Sequence, residues 1–170
     1  MRKREREITD PAEIRSILER CKILHLGLSD DGQPYVVPLN YGYTLDDAAL
    51  TFYLHGATEG YKYEVIQKNP KVSFAMECDT IPFEGKAACQ YGMSYRSLMG
   101  KGRAELVTDA IEKQAALSVL MKTQTGKDFT FNDKLVSIVN IIKISVDSYS
   151  AKKRPLPQTP ATERGCRINE

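Results

Sequence analysis

The sequence predicts an α+β domain, mainly β, whose antiparallel sheet closes into a small barrel with helices at its periphery. Three observations predict it. Apolar residues recur at every second position in five or six runs, the early turns are too short for parallel crossovers, and three stretches at helical spacing fall between the runs.

Asp10, Pro11 and Glu13 supply an N-cap, a proline at the first helical position and a capping-box partner, so a helix starts there. Ile14, Ile17, Leu18 and Cys21 follow at helical spacing and give that helix one apolar stripe. From Lys22 the period drops to two, with Leu24, Leu26 and Leu28 on one face and Ile23, His25 and Gly27 on the other, which is the pattern of a strand. Ser29, Asp30, Asp31 and Gly32 form a hairpin turn, and Tyr35 to Tyr43 returns as an extended segment carrying VVPLNYGY. Asp46 and Asp47 mark the next turn, and LTFYLHG is the next strand. Thr58 is placed to cap a second helix through Tyr61, Val65 and Ile66, which Asn69 and Pro70 end. VSFAMEC makes a fourth strand. Met93 to Val107 reads as a long strand broken near Gly100 and Gly102, and Thr108, Asp109 and Glu112 then cap a third helix that ends near Gly126. Leu135 to Val146 is the longest β-rich run and belongs near the sheet centre. After Ser150 the composition turns to Lys, Arg, Pro, Thr and Gln. Residues 1–150 are therefore expected as one domain and 151–170 as a C-terminal arm, flexible or in contact with a partner subunit.

A chain of 170 residues suits one such unit with a real core, and shows no internal repeat. Its 24 Lys and Arg nearly balance its 22 Asp and Glu, so no global field draws it to nucleic acid or to an anionic membrane, and any bound anion must be gripped locally. MRKREREITD lacks the apolar run of a secretory signal, and no stretch is long and apolar enough to cross a bilayer, so a cytoplasmic location is expected. Cys21, Cys78, Cys89 and Cys166 lie far apart, with no C-x-x-C pair and no histidine at zinc-ligand spacing. They read as reduced, structural thiols, and no metal is expected.

LTFYLHGATEGYKYEVIQKNP is the most informative stretch. Alternation sends Leu50, Phe52 and Leu54 into the core, so His55 stands at the strand exit on the polar face. Gly56, Thr58 and Gly60 lead into a helix whose first turn carries Tyr61 and Lys62, and the free N–H groups of such a turn attract a phosphate. An ordinary capped helix with a solvated lysine is the competing reading. In VVPLNYGY, Pro38 cannot donate to a sheet, and an interrupted strand leaves backbone groups free to meet a planar heterocycle; a bulged edge strand is the alternative. Tyr41, Tyr43 and Tyr53 offer an aromatic wall. In SYRSLMGKGRAEL, Tyr95, Arg96 and Ser97 put a cation and two hydroxyls on one strand, with a surface salt bridge as the plain reading of Arg96. His25 reads as structural, and the paired aspartates of the turns serve the backbone. No G-x-G-x-x-G follows a strand and no G-K-[ST] follows Lys101, so neither a dinucleotide fold nor a P-loop is supported.

The P-x-N-Y-G-Y, H-G-A-x-x-G-x-K and Y-R-S elements, in this order over about residues 5 to 150, resemble the pyridoxamine 5′-phosphate oxidase-like superfamily of FMN-binding split β-barrels, and within it the nitroimidazole-resistance branch. The resemblance implies an antiparallel split β-barrel and a homodimer with two FMN molecules at the subunit interface, each touched by both chains. It implies that Val37, Pro38, Leu39, Asn40 and Tyr41 line the isoalloxazine ring, that His55, Gly56 and Ala57 run beside ring and ribityl chain, that Tyr61 and Lys62 hold the phosphate, and that Tyr95, Arg96 and Ser97 complete the site. In that branch the histidine at the position of His55 is associated with electron transfer to nitro compounds, which makes His55 the catalytic candidate. The expected function is an FMN-dependent oxidoreductase taking electrons from a small-molecule donor, a nicotinamide cofactor among them, and reducing a small aromatic or nitroaromatic acceptor. A non-catalytic flavin- or haem-binding protein is the alternative. The chain has no tryptophan and lacks the arginine-rich C-terminal motif of the true oxidase, so vitamin B6 oxidation is not expected.

Overall fold

The computed structural model describes residues 4–46 and 49–157. After a short 3₁₀ turn and the two-residue strand β1 (Glu7–Ile8), helix α1 (Pro11–Arg20) starts where Asp10 accepts a hydrogen bond from Ala12 N at 3.1 Å. Ile14, Ile17 and Leu18 bury its apolar stripe. Strands β2 (Leu24–Asp30) and β3 (Gln33–Leu39) form a hairpin about Asp31 and Gly32, whose φ values of 48° and 87° suit a two-residue turn. The rest follows as β4 (Tyr41–Asp46), β5 (Ala49–Gly56), α2 (Tyr61–Lys68), β6 (Lys71–Phe83), β7 (Gly92–Val107), α3 (Ala110–Thr125), α4 (Asp133–Val136) and β8 (Asn140–Arg154). Asp47, the arm beyond Pro157 and Cys166 fall outside the described residues.

Every strand pairing is antiparallel, and the order across the sheet is β3-β2-β6-β7-β8-β5-β4, with β1 beside β8. β3 and β4 sit at opposite ends of that order although Asn40 alone separates them in the chain. One residue cannot cross a flat seven-strand sheet, so the sheet curls until its ends nearly meet: the fold is an α+β split barrel with peripheral helices. Its interior holds Leu24, Leu26, Phe52, Leu54, Met76, Leu98, Ile142 and Ile144, all buried. Phe52 stands edge-on to both Tyr41 and Phe74, with centroids 5.4 and 5.0 Å away.

Local capping moves two expected boundaries, and β8 outruns a third. Leu135 and Val136 belong to α4, because the Asn132 side chain accepts from Leu135 N at 3.0 Å and starts a helical turn there; β8 begins at Asn140. β8 lies one place from the centre of the sheet and continues past Ser150 to Arg154. Thr58 does not cap α2, since Gly60 occupies the N-cap with no side-chain bond. The expected break in β7 is a bulge instead. β7 runs unbroken while its register against β8 shifts between Lys101 and Gly102, leaving Asp147 as the extra residue. A Cβ at Gly102 would strike the Ser145 carbonyl, which is why glycine is needed at that crossing.

Candidate functional site

The split between β3 and β4 sorts the expected ring-lining residues by face. Val37 and Leu39 pack against the core, while Pro38 and Asn40 are exposed. Tyr41 is fully buried, and its hydroxyl donates to the carbonyls of Leu18 at 2.7 Å and Cys21 at 3.1 Å. Its side chain therefore closes the C-terminal turn of α1 and offers nothing to a ligand. Burial pushes that hydroxyl far above the ordinary phenol range, so it stays a neutral donor. Tyr41 pairs with Leu54, and one further step in that register brings Asn40 level with His55.

Beyond His55 the chain builds a cradle. The loop from Ala57 to Gly60 enters α2 at Gly60, whose φ of 150° is glycine territory and which has no side chain to cap the N–H groups of Tyr61 and Lys62. A Cβ added at Gly56 would lie 3.2 Å from Lys62 Nζ, and one at Gly60 would lie 3.3 Å from it, so the ammonium sits between two glycines that leave it room. It also stands 4.3 Å above the Tyr63 ring. The Tyr63 hydroxyl would be 2.5 Å from a Cβ at Gly56; it is buried and has no hydrogen-bond partner, and neither has the buried Nδ1 of His55. A buried polar atom without a partner costs about 1–3 kcal/mol, so the Tyr63 hydroxyl beside Lys62, with a second such atom on the residue preceding Gly56, makes this a candidate ligand site. The donor set of ammonium, hydroxyl and helix N–H groups fits a phosphate.

Two side chains outside the cradle hold it in shape. Asn140, paired with Gly56 in the β5–β8 ladder, donates from Nδ2 to Thr58 O at 2.7 Å. The Tyr61 hydroxyl donates to Asp30 Oδ2 at 2.7 Å, Lys68 Nζ lies 3.3 Å from Asp30 Oδ1, and the Tyr61 ring meets Tyr35 edge-on at 5.1 Å. The Tyr61 hydroxyl, then Lys68, hold the Asp30 carboxyl below the usual range. The Tyr61 side chain thus ties α2 to the β2–β3 hairpin, and only its backbone N–H faces the cradle. Asn140 and Tyr63 escaped the sequence reading because neither lies in a motif: Asn140 is brought in by strand pairing, and Tyr63 by the turn of a helix.

Tyr95, Arg96 and Ser97 are elsewhere. On β8, His55 is paired with Ile141, whereas Tyr95 is paired with Arg154 and Ser97 with Lys152. The two groups stand at opposite ends of β8, about 40 Å apart along extended strand. One chain does not bring them together. Strand alternation also divides the triplet. Arg96 turns toward α1, where its Nε lies 3.6 Å from Asp79 Oδ2, a carboxylate that Arg20 also pairs with. The salt-bridge reading of Arg96 is the arrangement found. Tyr95 and Ser97 face outward, with Lys152 Nζ 5.5 Å from the centre of the Tyr95 ring. Ser97 is 8% exposed, and its Oγ is buried without a partner.

That outward face continues into a groove of about 560 Å³ lined by His25, Gly27, Val36, Ala75, Met99 and Ser150. Val36 and Met99 are 61% and 43% exposed, a concentration of apolar surface on the sheet. His25 Nδ1 lies 3.9 Å from Glu77 Oε2 at its edge. Cys21 is buried and Cys78 half-buried, burial pushes both thiols up, and no cluster of metal-ligating side chains occurs among the described residues. Among those residues, too, no helix is long and apolar enough to cross a membrane.

A split antiparallel barrel with an anion cradle between a strand end and a helix N-terminus defines a class of small-molecule binding domain rather than a dinucleotide fold. The sequence model of the pyridoxamine 5′-phosphate oxidase family matches residues 10–153, and the chain belongs to that family. It is 34% identical to a protein from Bacteroides thetaiotaomicron VPI-5482 described provisionally as a 5-nitroimidazole antibiotic resistance protein, with 86% of each chain covered and a TM-score of 0.73. A FAD-binding protein from Mesorhizobium loti is 26% identical over 86% of this chain and 96% of its own, with a TM-score of 0.60. A flavocytochrome from Azotobacter vinelandii shares the fold at 20% identity, covering 96% of this chain and 76% of its own, with a TM-score of 0.74. No curated protein matches the chain.

Proposed function

We propose that this protein is an FMN-dependent oxidoreductase that works as a homodimer and reduces a small aromatic acceptor, with nitroaromatic compounds as the favoured class. The observation that carries the reading is the cradle: Lys62, the uncapped start of α2 and the unpartnered buried hydroxyl of Tyr63 meet at Gly56, and the Nδ1 of the preceding His55 is also buried without a partner. Membership of the oxidase family and the nitroimidazole-resistance relative support it. When bound, FMN would supply two-electron redox chemistry between a small-molecule donor and the acceptor.

The chain's own residues bind, orient and move protons. Lys62 Nζ and the N–H groups of Tyr61 and Lys62 hold the phosphate. His55, Gly56 and Ala57 flank the ribityl chain, and exposed Pro38 and Asn40, with backbone from Val37 to Tyr41, border the ring. His55 would be the candidate proton donor to an acceptor bound beside the ring. Arg96 points away from the cradle toward Asp79, a carboxylate it shares with Arg20. The dimer reading rests on the separation of the two half-sites within one chain and on the apolar outer face around Val36 and Met99, which a second copy would cover. Tyr95 and Ser97, on that face, then complete the site of the partner.

Reversing the charge at the phosphate tests the assignment. Lys62→Glu is expected to purify colourless and to bind FMN at least tenfold more weakly, while riboflavin, which has no phosphate, binds as it does to the wild type. A fully yellow Lys62→Glu protein refutes the phosphate site. A Soret band in the wild-type protein would instead indicate haem.

A further inference from the structure

The outward face of β7 carries a buried hydroxyl that nothing in its own chain satisfies, and the cation expected beside it is missing: alternation has turned Arg96 to the other face, against Asp79. Another cation stands there instead. Lys152 pairs with Ser97 across the β7–β8 ladder, and its Nζ reaches over the Tyr95 ring at 5.5 Å. Among the described residues Lys152 makes no ion pair, whereas its neighbour Lys153 turns inward to Glu13 at 2.6 Å. The acidic group nearest in register is Glu7, directly opposite Lys152 on β1, and the two form no ion pair; Glu77, opposite Ser97 on β6, lies 3.9 Å from His25. Arg154 is occupied over the Phe83 ring at 4.7 Å. Tyr95, Ser97 and Lys152 therefore present an aromatic face, an unused hydroxyl and an unpaired ammonium side by side.

We propose that Lys152, with Ser97 beside it, is the contact that each chain supplies to the ring end of the flavin held in the cradle of a second copy. The proposal rests on the flavin reading above and goes beyond it by naming a binding residue outside every motif of the family resemblance. The cradle already holds cation and helix N–H groups for the phosphate, so what remains to be met is the electron-rich carbonyl edge of the ring, and an ammonium with a hydroxyl suits that edge. The place fits as well. The pair lies at the far end of β8 from His55, out of reach of its own cradle, on the face that carries Met99 and runs into the apolar groove.

Two measurements on the full-length protein decide it. Lys152→Gln should weaken riboflavin and FMN alike by about tenfold, in contrast to Lys62→Glu, which should spare riboflavin. If Lys152→Gln binds both flavins like the wild type, or loses only FMN, the ring-edge assignment is overturned. The second measurement pairs chains carrying Lys62→Glu and Lys152→Glu, with different tags, and isolates the mixed dimer. Neither variant alone should retain FMN, whereas the mixed dimer should retain one FMN per two chains, because one of its two sites then draws both halves from unaltered residues. A mixed dimer as empty as its parents overturns supply in trans. Circular dichroism matching the wild type guards against misfolding as the cause. Wild-type protein that takes up neither flavin overturns the flavin reading itself, an outcome distinct from either failure of Lys152.

Discussion

Tyr41 shows how a residue can be needed beside a site without belonging to it. Its hydroxyl gives one proton to two backbone carbonyls at the end of α1, deep in the core. Tyr41→Phe strands those carbonyls and is expected to lower unfolding free energy by about 1–3 kcal/mol, read by denaturant melts, with FMN binding unchanged. Because burial raises the folded pKa of this hydroxyl, the stability it contributes is intact below the phenol value of the unfolded chain, and falls as pH rises beyond about 10. Loss of flavin from Tyr41→Phe without loss of stability would return the side chain to the site. Motif position and side-chain direction are separate facts here: the spacing placed Asn40 and Tyr41 at the break correctly, but only packing decides that one faces solvent and the other the core.

At the scale of elements, the loop of the cradle is held at three points. Gly56 is fixed in the β5–β8 ladder, Thr58 O accepts from Asn140, and Gly60 O accepts from Tyr63 N at 3.0 Å. Asn140→Ala removes the middle hold. It should raise amide hydrogen exchange at Ala57 to Gly60 and weaken FMN severalfold while sparing riboflavin, since the phosphate N–H groups lose their aim. Unchanged exchange in that loop would show the bond to be incidental. Strand periods and helix caps were legible in the sequence wherever the signal was local, as in the leucine alternation of β2 or the Asp10 and Asp109 caps. They failed at Leu135, where the Asn132 cap outweighs β propensity, and at Thr58, where a glycine takes the cap position.

For the whole molecule, the decisive fact is that closing the barrel sends the two residue groups of the proposed site to opposite ends of one long strand. β8 touches β7, β5 and β1, and its two ends carry the partners of His55 and of Ser97. No reading of the Y-R-S element by itself could reveal this, because separation along β8 is a property of register, settled only when all strands are paired. In the proposed dimer the exposed Val36 and Met99 have a role: a second copy laid on that face would bury their apolar surface and bring Ser97 and Lys152 toward another cradle.

Sedimentation velocity of freshly purified protein saturated with FMN, followed simultaneously by protein absorbance and by flavin absorbance in the blue, tests this most directly. Flavin is expected to sediment at the mass of two chains, with none at the mass of one. Flavin travelling with single chains, or protein that sediments without any after incubation with excess FMN, would contradict a cofactor held between two copies.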